Sequence, residues 1–250
     1  MIDSHAHVEM CEGTPAEVVG RALDAGVTRI LTIALSSAGF AETLSIAEQN
    51  EAVFAAVGWH PNETTGFGDT QLAEIETAAA HPQVRAIGET GLDFFRESAP
   101  PADQRRAFIG QIALAAKLQL PLSIHARAAE AEVMDLLEEH AREVPGVVLH
   151  CFSQPDLIDR ATQAGFFCSF AGNVTFKNAP ELRAAATRVP DELLLVETDA
   201  PFLAPQPVRG QRNEPAYVKM TAQTLADVRG TTYEALNAVV ESNAAKLFKW

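Results

Sequence analysis

Residues 122–150 read Leu-Ser-Ile-His-Ala-Arg-Ala-Ala-Glu-Ala-Glu-Val-Met-Asp-Leu-Leu-Glu-Glu-His-Ala-Arg-Glu-Val-Pro-Gly-Val-Val-Leu-His. A short apolar run (Leu122–His125), a helix candidate (Glu130–His140) and a second apolar run (Val147–His150) make one β-α-β unit. Each run ends in a histidine. The same alternation extends in both directions. Upstream, the spacing predicts strands at Ile2–His5, Thr28–Ala34, Val53–Val57 and Val84–Glu89, and downstream at Phe166–Phe170 and Leu193–Glu197. Most are continuous apolar runs, as expected of parallel strands buried on both faces. The intervening helices are predicted at Ala16–Ala25, Phe40–Gln49, Asp69–Ala80, Asp103–Leu118, Asp156–Ala164 and Ala179–Thr187, with Ala216–Val228 and Tyr233–Leu247 closing the chain. Eight strands alternating with helices over 250 residues match an α/β fold of the (β/α)8 TIM-barrel type, one domain spanning 1–250. A doubly wound open sheet is the competing architecture. The first strand is not followed by the Gly-rich phosphate fingerprint that such a sheet commonly carries.

Composition narrows the function. Nineteen basic and 33 acidic residues give a net charge of -14. Residues 1–100 hold 4 basic and 15 acidic residues, and 101–250 hold 15 and 18. An acidic surface argues against loose binding to nucleic acid or anionic membrane, though not against a local anion site. No apolar run approaches the ~18–20 residues of a membrane span, and the Met1-Ile2-Asp3-Ser4-His5 start does not resemble a signal peptide. Three widely spaced cysteines (Cys11, Cys151, Cys168) fit a reducing cytoplasm better than a disulfide framework. The expectation is a cytoplasmic protein with no membrane association and no obligate protein partner.

The polar residues are distributed unevenly. In a barrel, chemistry gathers at the C-terminal ends of strands. His5 and His7, His60, Glu89, His125, His150 and Asp199 all fall at or just beyond predicted strand ends, including five of the seven histidines. In an extended chain His5 and His7 point the same way. Several imidazoles and two carboxylates in one mouth are costly to bury unless cations compensate. Imidazole and carboxylate donors without thiolate suit Zn²⁺, Mg²⁺ or Mn²⁺. Six donors (His5, His7, Glu89, His125, His150, Asp199) exceed the three protein ligands of an open catalytic zinc site. They fit two divalent metal ions sharing a bridging carboxylate.

The ordered blocks His5-Ala6-His7, Gly58-Trp59-His60-Pro61, Gly88-Glu89-Thr90-Gly91-Leu92-Asp93, His125-Ala126-Arg127, His150-Cys151-Phe152-Ser153 and Glu197-Thr198-Asp199-Ala200-Pro201 closely resemble the TatD family of metal-dependent deoxyribonucleases. The resemblance continues through Gly172–Lys177 and Arg209–Pro215 to Asn243–Phe248, covering essentially the whole chain. It implies that His5 and His7 bind one metal with Asp199, and that Glu89 bridges to a second held by His125 and His150. It implies a water nucleophile with Asp199 as general base, and 3′→5′ exonuclease action on DNA with a preference for single-stranded ends. His60 is a candidate for contacting phosphate or aiding the leaving oxygen, or for capping a turn before Pro61.

Arg127, Arg209 and Arg212 are candidate phosphate contacts, since a guanidinium fork matches phosphate geometry. Arg127 is equally suited to pairing with a carboxylate, and Arg212 to tying down its loop. Trp59 could stack a base or pack a loop. Asp93 and Glu197 are expected to orient ligands or loops, and Cys151 to pack as a small apolar residue. Two positions depart from the usual family pattern: Ala128 stands where Asp is common, and Gln154 where Gly is common.

Two other function classes fit less well. Hydrolysis of an ester or amide by an amidohydrolase-type centre, or deacylation of an aminoacyl-RNA ester, uses a related metal core. Some such enzymes bridge their metals with a carboxylated lysine, and strand ends one to six carry no lysine here. A non-catalytic binding barrel is disfavoured because all six donor positions hold ligand-capable residues.

Overall fold

The computed structural model describes residues 1–96 and 98–250. Eight strands lie in chain order in one sheet, each parallel to the next. They are Ile2–Ala6 (β1), Arg29–Ile33 (β2), Val53–Val57 (β3), Val84–Asp93 (β4), Leu122–Arg127 (β5), Val147–Leu149 (β6), Phe167–Phe170 (β7) and Leu194–Val196 (β8). The helices are Pro15–Asp24 (α1), Ser37–Gln49 (α2), Asp69–Ala79 (α3), Pro101–Leu118 (α4), Glu130–His140 (α5), Ile158–Gln163 (α6), Pro180–Ala186 (α7), Val218–Arg229 (α8) and Tyr233–Phe248 (α9).

The sheet closes between β1 and β8, which decides for a (β/α)8 barrel over an open sheet. The seam is made by main chain at the top, where the His7 amide donates to Ala200 O (2.8 Å) and the Asp199 amide to His5 O (2.9 Å). Lower down, Ser4 Oγ donates to Val196 O at 2.9 Å, and Asp3 accepts from the Thr198 amide at 2.9 Å. These side-chain bonds satisfy backbone groups that a regular ladder would otherwise pair. The strands β3, β6 and β8 are apolar and buried throughout, as parallel strands under a helical layer are, while β1 is equally buried but carries Asp3, Ser4 and His5 inward of that layer. Among the described residues, no helix is long and apolar enough to cross a membrane.

Two differences from the sequence reading bear on the site. The strand predicted at Val84–Glu89 continues to Asp93; after a register shift between Ile87 and Thr90 it pairs with β5 through Gly91↔His125 and Asp93↔Arg127. Glycine makes this possible. Gly88 and Gly91 have φ of +147° and +145°; a Cβ on Gly88 would lie 2.6 Å from the Ser123 carbonyl, and one on Gly91 would collide with that of His125. The helices predicted at Asp156–Ala164 and Ala216–Val228 each begin as a 3-10 turn, Pro155–Leu157 and Pro215–Tyr217, before α6 and α8. Proline fixes φ at the first turn but supplies no donor.

Candidate metal centre

His5 and His7, two apart on and just after β1, both face the barrel axis. Ser123 on β5, across the barrel, lies 3.2 Å from His5 Nδ1. His7 Nδ1 donates to the Ile33 carbonyl at 3.1 Å, and His150 Nδ1 to the Glu197 carboxylate at 3.1 Å. In His7 and His150 the proton is thus held on Nδ1, which turns Nε2 inward as a potential ligand atom.

Glu89, buried at the bend in β4, stands in the middle. Its two oxygens face different partners. Oε2 lies 3.4 Å from His5 Nε2 and 3.7 Å from His7 Nε2. Asp199 Oδ1 completes that side at 3.9 Å and 3.8 Å from the same two nitrogens. Oε1 instead faces His125 Nδ1 at 2.6 Å and His150 Nε2 at 2.9 Å. Among the described residues, three groupings therefore have donor atoms close enough to share an ion: His5-His7-Asp199, His5-Glu89-His150 and His60-Glu89-His125.

The donors fit a divalent cation. Four donors around one ion at ~2.0–2.1 Å lie about 3.3–3.4 Å from one another, and the Oε2 side approaches this with its separations of 3.4 Å to 3.9 Å. His5 Nε2 is buried with no hydrogen-bond partner, aimed into that cage. On the Oε1 side, protons supply the positive charge. Burial disfavours charge on His150, yet Glu89 and Glu197 outweigh it and raise its pKa well above the usual range. His125 is raised likewise against burial, by Asp93 and Glu89. Burial would raise Glu89, but His150, His60 and His125 hold it well below the usual carboxylate range. A cation entering here displaces protons from imidazole.

His60 is built differently. Its Nδ1 accepts from the Asn62 amide at 3.1 Å, and burial lowers its pKa to about 4, with Glu89 opposing. A neutral ring accepting at Nδ1 carries its proton on Nε2, which points at Glu89 Oε1 from 3.7 Å. His60 is thus a proton-bearing donor, in contrast to His7 and His150.

The supporting residues are fixed by local geometry. Asp93 Oδ1 accepts from the Phe95 amide (3.0 Å) and the Arg96 amide (2.9 Å), while Oδ2 meets His125 Nε2 at 3.3 Å. Glu197 Oε1 also takes the Cys151 amide at 2.6 Å. Asp199, Cys151 and Ala128 all adopt left-handed backbone, with φ of 54°, 46° and 54°. Such conformations cost roughly 1–3 kcal/mol in non-glycine residues and gather at functional sites. Burial pushes the Asp199 carboxyl up to about 6, with His150 and His5 opposing and Glu89 adding to it.

These residues open into a cavity of about 500 Å³, lined among others by His7, His60, Glu89, His125, His150 and Asp199. Arg127 reaches it, and so does Arg96, which the sequence reading did not single out. For three residues the structure speaks against the substrate-contact alternative, and Trp59 and Arg212 take the loop-packing and loop-tethering roles offered beside it. Trp59 is no base platform: its ring is buried between Phe40 and Phe67, and its indole N–H donates to Glu63 O at 2.8 Å. Arg212 donates to Met10 O at 2.8 Å, which ties its loop down, and it does not line the cavity. Arg209 also lies outside the lining, with its guanidinium 3.9 Å above the Phe176 ring. The two family departures meet at one carboxylate: Glu130 Oε1 accepts from the Ala128 amide (3.2 Å) and from Gln154 Nε2 (2.8 Å).

Comparison with known proteins places this arrangement. The family model for TatD related DNase matches residues 2–249. The uncharacterized metal-dependent hydrolase YabD of Bacillus subtilis (strain 168) is 36% identical over 252 residues, covering 100% of this chain and 99% of its own length. The 3′-5′ ssDNA/RNA exonuclease TatD of Cronobacter sakazakii is 36% identical over 238 residues, covering 93% of this chain and 90% of its own. Among solved structures, the TatD homolog YJJV of Escherichia coli K12 superposes with a TM-score of 0.93 at 28% identity, covering 100% of this chain and 98% of that one.

Proposed function

The chain belongs to the TatD related DNase family and is a metal-dependent hydrolase, and from that premise we propose that it is a 3′-5′ exonuclease of single-stranded DNA working through two divalent cations. The observation that carries the proposal is the division of Glu89, one oxygen toward His5 and His7 and the other toward His125 and His150. That division supports a bridging role, with Asp199 completing the His5-His7 side. The nuclease name of the Cronobacter relative supports the substrate.

The chemistry that such a cation pair supplies is activation of water near neutral pH and neutralisation of charge on the phosphoryl oxygens. The chain does the rest. Asp199 sits beside the His5-His7 pair, with Oδ1 3.9 Å and 3.8 Å from their Nε2 atoms, placed to take a proton from a water held there. His60 Nε2–H is placed to donate to a phosphate or departing oxygen. Arg127 and Arg96 offer guanidinium forks from one side of the cavity. Five carboxylates (Glu63, Glu89, Asp93, Glu130, Asp199) face two guanidiniums and the imidazoles of His125 and His150, whose pKa values are raised, so the bare mouth carries no excess of positive charge. Bound cations rather than a basic surface would draw a phosphodiester in, so activity depends on metal. The three free cysteines suit a cytoplasmic setting.

The test is metal analysis coupled to a chelator-controlled assay on 3′- and 5′-labelled single-stranded and duplex DNA. The proposal expects metal-dependent shortening from the 3′ end, faster on single strands, and abolished by chelation. Metal-loaded protein that hydrolyses an ester or amide but no phosphodiester overturns it.

A further inference from the structure

We propose that Phe95 and Phe202 form a stacking clamp on opposite sides of the mouth that selects unpaired bases; this rests on the nuclease reading above. Among the described residues, five large hydrophobic side chains are exposed: Met10, Leu23, Phe95, Ile109 and Phe202. Leu23 and Ile109 sit on α1 and α4, while Met10 and Phe202 line the catalytic cavity and Phe95 borders it through Arg127. Phe95 is 64% exposed and Phe202 47%. Phe95 packs under Arg127 and Phe202 edge-on to His7, yet both rings stay largely in water at the mouth.

Both rings are held on fixed backbone. The Phe202 amide donates to Asp199 O (2.8 Å), and its carbonyl accepts from Asn213 Nδ2 (2.6 Å). Its ring stands edge-on to His7, centroids 6.2 Å apart. The Phe95 amide is held by Asp93, and the Arg127 guanidinium lies 3.9 Å over one face of its ring. Phe95 follows β4 and Phe202 follows β8, and the strand order 1 to 8 sets those strands opposite one another in the closed ring. The ring of strands they follow carries Glu89 and the histidines at its mouth.

A strand whose phosphate sits in that cluster has bases on either side of it. Aromatic side chains hold such bases whatever their identity, because every base has a π-face. Arg127 takes part twice, backing the Phe95 ring and reaching into the cavity where phosphate would lie. Interior bases of a duplex are covered on both faces by their neighbours, and a duplex end has one free face, so at most one ring can be used. The clamp therefore favours single strands without drawing on a basic surface, in keeping with a net charge of -14.

The experiment compares kcat/KM for a single-stranded deoxyoligonucleotide with that for an oligomer of tetrahydrofuran units, which keeps the phosphodiesters and lacks bases. It uses wild type, Phe95→Ala, Phe202→Ala, Phe202→Leu and Phe202→Trp, each loaded with the same metal and checked by thermal melting. The expected result is a preference for the base-bearing strand that falls about tenfold in each alanine variant, mainly through KM. Phe202→Trp keeps the preference and Phe202→Leu loses it. If wild type cleaves DNA and the preference is unchanged in both alanine variants, or if both substrates suffer equally, the clamp is overturned while the nuclease reading stands. If wild type cleaves no phosphodiester, both fall.

Discussion

Replacing Glu197 with glutamine tests whether the second layer of the site sets metal affinity. Glu197 is fully buried, and its Oε1 accepts from both His150 Nδ1 (3.1 Å) and the Cys151 amide (2.6 Å). Glutamine keeps the shape but removes the charge. A hydrogen bond to a charged group is worth roughly 1.5–3 kcal/mol against about 1 for a neutral one, so the exchange costs about 0.5–2 kcal/mol at His150 alone. The amide can also present an NH₂ where Glu197 Oε2 now lies buried without a hydrogen-bond partner. His150 becomes a poorer and less well-aimed donor, and partners of this kind typically carry 10–100-fold in metal affinity. Competition titration against a chromogenic chelator should show the weaker of two binding steps falling within that range, with the step assigned to His5, His7 and Asp199 changed much less. Metal affinities within twofold of wild type, alongside a lowered Tm, would refute the reasoning and make Glu197 a prop for the Cys151 turn alone.

Other outcomes follow from the same geometry. Gly91→Ala should unfold or insolubilise the protein, since its Cβ meets the His125 carbonyl in a backbone of φ +145°; a cost above about 3 kcal/mol is expected, and a soluble variant with wild-type melting would contradict it. Burial pushes the Asp3 carboxyl up to about 8, against opposing hydrogen bonds from Thr198 and His5. The folded state therefore holds a proton that the unfolded chain has released. Asp3 stabilises the fold fully below pH ~4 and loses that contribution as pH rises towards about 8. Asp3→Asn should flatten this part of the pH–stability profile in urea melts, and an unchanged slope would refute it. Gln154→Gly removes one donor from Glu130 and should cost about 0.5–1.5 kcal/mol in denaturant melts, with metal content unchanged. Lost metal would show that Gln154 does more than tether Glu130.

Most of the barrel and its mouth were legible because two periodicities coincide. Apolar runs fix where the parallel strands lie, and a barrel brings their C-terminal ends together, so His5, His7, Glu89, His125, His150 and Asp199 could be placed in one mouth without coordinates. The path of a side chain beyond a strand end is another matter. Trp59 neighbours His60 in sequence, yet Gln111 holds its backbone amide at 2.7 Å and the ring turns into the wall. Arg209 and Arg212 lie on the long segment after β8, whose course is set by tertiary contacts such as Arg212 to Met10. Arg96, Phe95 and Phe202 carry no signal of exposure in the sequence. Asp93 and Asn213 hold the loops that present them, and those contacts exist only in three dimensions. The tautomer of His60 was equally hidden, since it depends on a bond from the Asn62 amide.

The central claim is that Glu89 serves two cations at once. The most direct measurement is the stoichiometry of divalent metal bound per chain, by elemental analysis and titration, in wild type and Glu89→Gln. Two ions per wild-type chain are expected, with the substitution weakening both sites and abolishing DNA cleavage while the fold persists. A single tightly bound ion in fully active enzyme, or two ions retained undiminished by Glu89→Gln, would contradict it.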